Sequence, residues 1–90
     1  MEWLRRLTSQ MEIKFKNLVE IETFAKMAEQ YDGDVILTNG SIAIDGESVV
    51  AIVTMGVNKW IELHLGDEDT ADGRSFKNSI KQIGIKTKGR

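Results

Sequence analysis

The sequence predicts an α+β domain with elements in the order β-α-β-β-α-β-α, helices covering one sheet face and solvent the other. Three observations predict it. Three segments alternate apolar and polar residues with the two-residue period of a half-buried strand. Two segments carry apolar residues three or four apart, the spacing of one helix face. Asn39-Gly40 stands between two of the strands, the strongest short hairpin signal because both residue types accept positive φ.

Met1 to Gln10 holds Trp3, Leu4 and Leu7 with Arg5 and Arg6 between them, which suits a loose arm or a turn or two of amphipathic helix. Glu12 to Lys16 sets Ile13 and Phe15 against Glu12, Lys14 and Lys16, as in a strand. Leu18 to Tyr31 repeats Leu18, Ile21, Phe24, Ala25, Ala28 and Tyr31 at helical spacing. Asn17 is its expected N-cap, Glu20 completes a capping box, and Asp32-Gly33 ends it. Strands Asp34 to Thr38 and Ser41 to Asp45 follow. In Val49, Val50, Ile52 and Val53, β-branching favours a strand while Ser48 as N-cap favours a short helix, so the residues alone leave both open. Lys59 to Leu65 puts Ile61, Leu63 and Leu65 on one face and Trp60, Glu62 and His64 on the other. The acidic run Asp67-Glu68-Asp69-Thr70 supplies a turn and a helix start. Phe76, Ile80 and Ile83 mark the buried stripe of the last helix, Gly84 its C-cap, and Ile85 to Arg90 a basic tail.

Ninety residues suit one domain with a thin core. The composition, 41% hydrophobic and 29% charged, excludes disordered and fibrous classes, and a net charge of -2 gives no global attraction to nucleic acid. Without cysteine there is no disulfide, thiolate nucleophile or Cys-based metal site, and His64 is the single histidine. No apolar run reaches the roughly 20 residues that cross a bilayer, and no secretory leader is evident, so a cytoplasmic location is expected.

Glu47-Ser48-Val49-Val50-Ala51-Ile52-Val53-Thr54-Met55-Gly56-Val57 can be laid without a gap on K-S-I-M-G-V-M-S-L-G-V. That pattern belongs to HPr, the small phosphocarrier of the bacterial phosphoenolpyruvate-dependent sugar phosphotransferase system, which the chain resembles over about residues 11 to 83. The hairpin resembles the family's D-G-K-K-V-N-A, and Phe24 to Tyr31 the later half of its first helix. The resemblance implies an open-faced β-sandwich, a four-stranded antiparallel sheet covered on one face by three helices. It places an HPr-like domain at 11–84 between the arm 1–10 and the tail 85–90.

The departure from the family bears on function. Its active segment reads G-L-H-A-R-P-A, and a gapless extension back from Phe24 sets Asn17 opposite the histidine, Val19 opposite the arginine and Glu20 opposite the proline. Phosphocarrier chemistry needs an imidazole nitrogen that accepts and releases a phosphoryl group beside a helix N-terminus and a cation. The Asn17 amide is no such nucleophile, and Glu20 adds negative charge. No catalytic residue, metal or cofactor is therefore expected, and the chain reads as a non-catalytic protein rather than an enzyme.

The resemblance further implies a partner-binding surface from Asn17, Val19, Glu20, Val49, Val50 and Val53, and a regulatory phosphorylation site at Ser48. Ser48 also has the plain reading of a helix cap. The expected partner is a protein: a phosphotransferase-system component, a kinase or a transcription regulator; neither membrane nor nucleic acid is expected. Two alternatives stand beside this one. A divergent phosphocarrier would use an unrecognised residue such as His64, otherwise surface filler, and a small nucleic-acid-binding α/β module would use Arg5, Arg6, Lys86, Lys88 and Arg90. The acidic stretch Asp67 to Asp72 lacks the spacing of a calcium loop, and helix capping accounts for it.

Overall fold

The computed structural model describes residues 11–67 and 70–89. The expected arm 1–10, with Trp3, Arg5 and Arg6, lies outside the described residues, as do Glu68, Asp69 and Arg90. Eight elements run in the order β1 (Met11–Lys14), α1 (Leu18–Gln30), β2 (Val35–Asn39), β3 (Ile42–Asp45), α2 (Val49–Met55), β4 (Ile61–Leu65), α3 (Ala71–Gln82) and β5 (Lys86–Gly89). The strands form one antiparallel sheet in the order β3-β2-β4-β1-β5, so β3 and β5 are its edges.

All three helices cover one face of the sheet. The inward residues Met11, Ile13, Val35, Leu37, Ile61, Leu63 and Leu65 share a single core with Ile21, Phe24 and Ala28 of α1, Ile52 and Met55 of α2, and Phe76 and Ile80 of α3. Alternation decides this, because every second residue of β1, β2 and β4 is buried while the residues between them are only half-covered. The fold is α+β with an open antiparallel sheet and three helices, as the periodicity predicts.

The strand count differs from expectation. The sheet has five strands rather than four, because Lys86–Gly89 pairs with β1 from Lys14↔Lys86 to Met11↔Gly89 and is not a tail. A helix terminator is the cause. Gly84 has φ +93°; its N–H donates to the Lys81 carbonyl at 3.1 Å, and the Ile85 N–H donates to the Ile80 carbonyl at 3.2 Å. This paired bonding reverses the chain at the end of α3 and commonly brings the residue after the glycine over the helix. Ile85 is accordingly buried at 3% exposure, whereas Ile83, predicted in the buried stripe, is 43% exposed.

The hairpin turn also moves by one residue. Asn39 is the last residue of β2, paired with Ile42, so the two-residue loop is Gly40-Ser41. Only Gly40 has positive φ, at +65°, the pattern of a type II′ turn with glycine first. At α2 the helix prevails over β-branched propensity. Ser48 is extended and accepts a hydrogen bond from the Ala51 N–H at 3.2 Å, which satisfies a donor the first helical turn leaves open.

Aromatic rings tie the layers together. Phe24 of α1 meets Phe15, just past β1, edge-on with centroids 5.2 Å apart, and Phe76 of α3 edge-on at 5.7 Å. Tyr31 extends the row to Phe76 at 5.2 Å, and its hydroxyl donates to the Gly66 carbonyl beyond β4. Phe24 has no solvent exposure and belongs to two of these pairs. Phe24→Ala is therefore expected to cost about 3–5 kcal/mol. Equilibrium urea unfolding followed by far-UV circular dichroism measures this, and a loss below about 1 kcal/mol would mean that the row does not hold the layers.

Candidate functional site

The residues expected to form the partner-binding surface, and Ser48, lie at the start of α1 and in and just before α2, two helices packed against each other. Asn17 has extended backbone (φ -161°, ψ 174°), and its Oδ1 accepts the Glu20 N–H at 3.0 Å. It is the predicted N-cap. Glu20 completes the cap differently from the expected box: its Oε1 accepts the N–H of Lys16, one residue before the cap, at 2.9 Å, and its Oε2 lies 3.7 Å from Lys16 Nζ.

This closure has a chemical consequence. The side-chain oxygen of Asn17 is engaged with the helix it starts. Glu20, expected on the contact surface, is instead buried at 9% exposure because its carboxylate folds back onto the Lys16 backbone and ammonium. Two apolar residues here face outward: Leu18 is 50% and Val19 67% exposed.

Helix α2 divides its valines. Val49 is half-buried and packs against the core, which withdraws it from the surface, whereas Val50 is 77% exposed and Val53 faces solvent. Beside them, Ile42 and Ile44 of β3 and Ala51, Thr54 and Met55 of α2 line an apolar hollow of about 210 Å³. Ile42 and Ile44 were not foreseen as surface residues. Their two-residue spacing directs them to the helix side, but β3 is an edge, and a seven-residue helix about 10 Å long covers only part of it. Edge position rather than composition leaves Ile42 exposed.

Ser48 is half-buried, its hydroxyl oxygen engaged in the cap. Its surroundings are acidic. The Asp45 carboxylate accepts the Glu47 N–H at 2.9 Å, and the Ser48 N–H donates to the Asp45 carbonyl at 3.2 Å. A phosphate at this hydroxyl would meet the helix dipole favourably and Asp45 and Glu47 unfavourably.

His64 lies on the opposite, helix-free face of the sheet. Thr38 Oγ1 donates to Glu62 Oε1 at 3.0 Å and lies 3.0 Å from His64 Nε2. His64 Nε2 also lies 3.8 Å from Glu62 Oε1, so the three side chains form one small polar cluster on this face. Of the expected basic termini, Lys86 and Lys88 lie in β5, and Arg5, Arg6 and Arg90 fall outside the described residues. In the acidic stretch, the cap is Thr70, whose Oγ1 accepts the Gly73 N–H at 3.1 Å. No described helix is long and apolar enough to cross a membrane.

Both caps are testable through stability. Asn17→Ala and Ser48→Ala are each expected to cost about 1 kcal/mol, and Asn17→Asp much less, since a carboxylate accepts the same N–H. Urea midpoints would measure the three; equal losses for Asn17→Ala and Asn17→Asp would refute the capping role. Compared with protein-family models, curated proteins and solved structures, the chain matches none.

Proposed function

We propose that this chain is a divergent HPr-like protein of the cytoplasm that cannot carry histidine phosphate and acts by binding a protein partner. The observation that carries the reading is at Asn17. At the position that aligns with the family's phosphoacceptor stands an amide, and its oxygen caps α1 through Glu20 N–H. No imidazole is available there to take up a phosphoryl group. An open antiparallel sheet with three helices on one face is compatible with the open-faced sandwich the resemblance implies.

The binding surface is apolar. Leu18 and Val19 on α1, and Val50 and Val53 on α2, offer branched side chains to solvent, and the hollow under Ile42 adds a recess for a partner's side chain. Exposed apolar groups on paired helices suit a protein interface better than a polar ligand. The regulatory partner remains a phosphotransferase-system component, a kinase or a transcription regulator. Binding need not depend on phosphorylation of Ser48, where Asp45 and Glu47 oppose added negative charge.

A phosphotransfer assay tests the proposal from both sides. Incubated with the general phosphotransferase enzyme and labelled phosphoenolpyruvate, the chain is expected to remain unlabelled. In excess it should slow the labelling of an authentic HPr by occupying the same docking surface, and Val50→Glu should remove that slowing while leaving the circular dichroism spectrum unchanged. Stable label on His64 would overturn the loss of carrier activity; absence of competition would overturn the docking surface.

A further inference from the structure

We propose that the corner of the sheet where β1 leaves and β5 begins is a binding site for a compact phosphate dianion, either free or borne by a small ester. The site is a cavity of about 260 Å³ lined by Lys14, Lys16, Asn58, Gly84 and Lys86. Three lysines are among its lining residues, and no acidic residue is.

The charge pattern of the sheet makes this arrangement costly without a ligand. Along one cross-strand row, Glu62, Glu12 and Lys88 are successive partners; Lys88 Nζ lies 3.7 Å from Glu12 Oε1, and Glu62, opposite Glu12, accepts a hydrogen bond from Thr38. Two residues along the same face, Lys14 is directly opposite Lys86. Like charges so placed destabilise a sheet. Neither lysine has a carboxylate partner among the described residues; Lys14 is held only by the Trp60 ring, its Nζ 5.1 Å from the centroid. Lys16, paired to Glu20 at 3.7 Å yet with a side chain 68% exposed, adds a third cation.

The cavity is built from segments that are held in place. Asn58 (φ 59°) donates its backbone N–H to the Phe15 carbonyl at 2.7 Å, which fixes its loop against the end of β1. Gly84 forms the opposite wall through the turn that launches β5. Charged lysines on an edge strand also deter strand pairing between molecules, which accounts for Lys86 and Lys88. That function does not require Lys14, on an interior strand, or Lys16 beside it. A dianion bridging the three ammonium groups relieves their repulsion with charge-assisted hydrogen bonds. A nucleic-acid backbone is the poorer fit, since Glu12 and Glu62 interrupt the positive surface one row away and the net charge is -2.

The test is titration of the full chain with sodium phosphate and, in a second arm, with glycerol 3-phosphate, at constant ionic strength, followed by amide proton–nitrogen correlation spectra. Saturable shifts are expected at Lys14, Lys16, Asn58, Gly84 and Lys86, with binding about tenfold weaker in Lys14→Gln/Lys86→Gln; the arm that binds more tightly distinguishes free phosphate from an ester. That variant should also be more heat-stable than the parent without phosphate, and should lose the melting-temperature rise that phosphate gives the parent. Shifts that match a sodium chloride control, spread over all lysines, or persist in the variant would overturn the site. Tighter binding of a single-stranded oligonucleotide than of either phosphate would overturn the ligand class. Competition with an authentic HPr is unaffected by either result, so the two proposals fail separately.

Discussion

Burial on one side of a single sheet is the constraint on which this structure depends. Among the described residues the buried core lies on one side of the sheet, where Ile13, Leu37, Ile61, Phe24, Ile52 and Ile80 meet between the strands and three helices. Phe24 is where this is achieved. Its ring touches Phe15 on the strand side and Phe76 on α3, and edge-to-face pairs add directional preference to the area they bury. The position of α1 is thereby set relative to both β1 and α3, and with it the placement of Asn17 one residue before the helix.

The parts of the fold legible in sequence are those in which period and burial coincide. Ile13 and Phe15, Ile61, Leu63 and Leu65, and the α1 stripe from Ile21 to Ala28 behave as their spacing predicts, because each segment has one dry and one wet side; Leu18, at the head of that stripe, is 50% exposed instead. β5 carried no such signal. Its sequence, Lys-Thr-Lys-Gly, has no apolar residue to bury, and it joins the sheet through backbone pairing and the contacts of Lys88 with Glu12 and Trp60 after Gly84 turns the chain. The available clue was local: an apolar residue directly after a helix-ending glycine, here Ile85 after Gly84, is the mark of a chain reversal that packs back on its helix. The hairpin turn moved for a related reason, since Gly40 alone takes positive φ and Asn39 is free to remain in the ladder.

The candidate site was legible in identity more than in orientation. Asn17 and Ser48 are caps, as the residue types suggest, because a short polar side chain before an apolar helical run has a vacant N–H to satisfy. What a linear pattern does not convey is which neighbour competes for each group. Glu20 finds Lys16 one residue beyond the ordinary box and is drawn inward, and Val49 turns toward the core while Val50, the next residue, turns away. A helix rotates its side chains by about 100° per residue, so adjacent valines of equal hydrophobicity receive opposite roles. Ile42 shows the complementary case, a strand residue on the correct face that remains exposed because the covering helix is short.

The two faces of the molecule have consequently diverged in chemistry. On the helix side the caps engage Asn17, Glu20 and Ser48 with backbone N–H groups, and the aliphatic Leu18, Val19, Val50 and Val53 stand outward beside exposed polar neighbours. On the open side no described helix competes for the side chains, so charge is arranged strand by strand. Where β1 meets β5 at Glu12, Lys88 pairs with the carboxylate; one step further, at Lys14 and Lys86, nothing within the described residues does so. The fifth strand is what creates that unresolved pair, because without β5 Lys14 would lie on an edge with only Trp60 beside it. A strand held by backbone pairing and the Lys88–Glu12 ion pair has thus brought a second lysine opposite the first, so that the least apolar of the described strands sets Lys86 against Lys14.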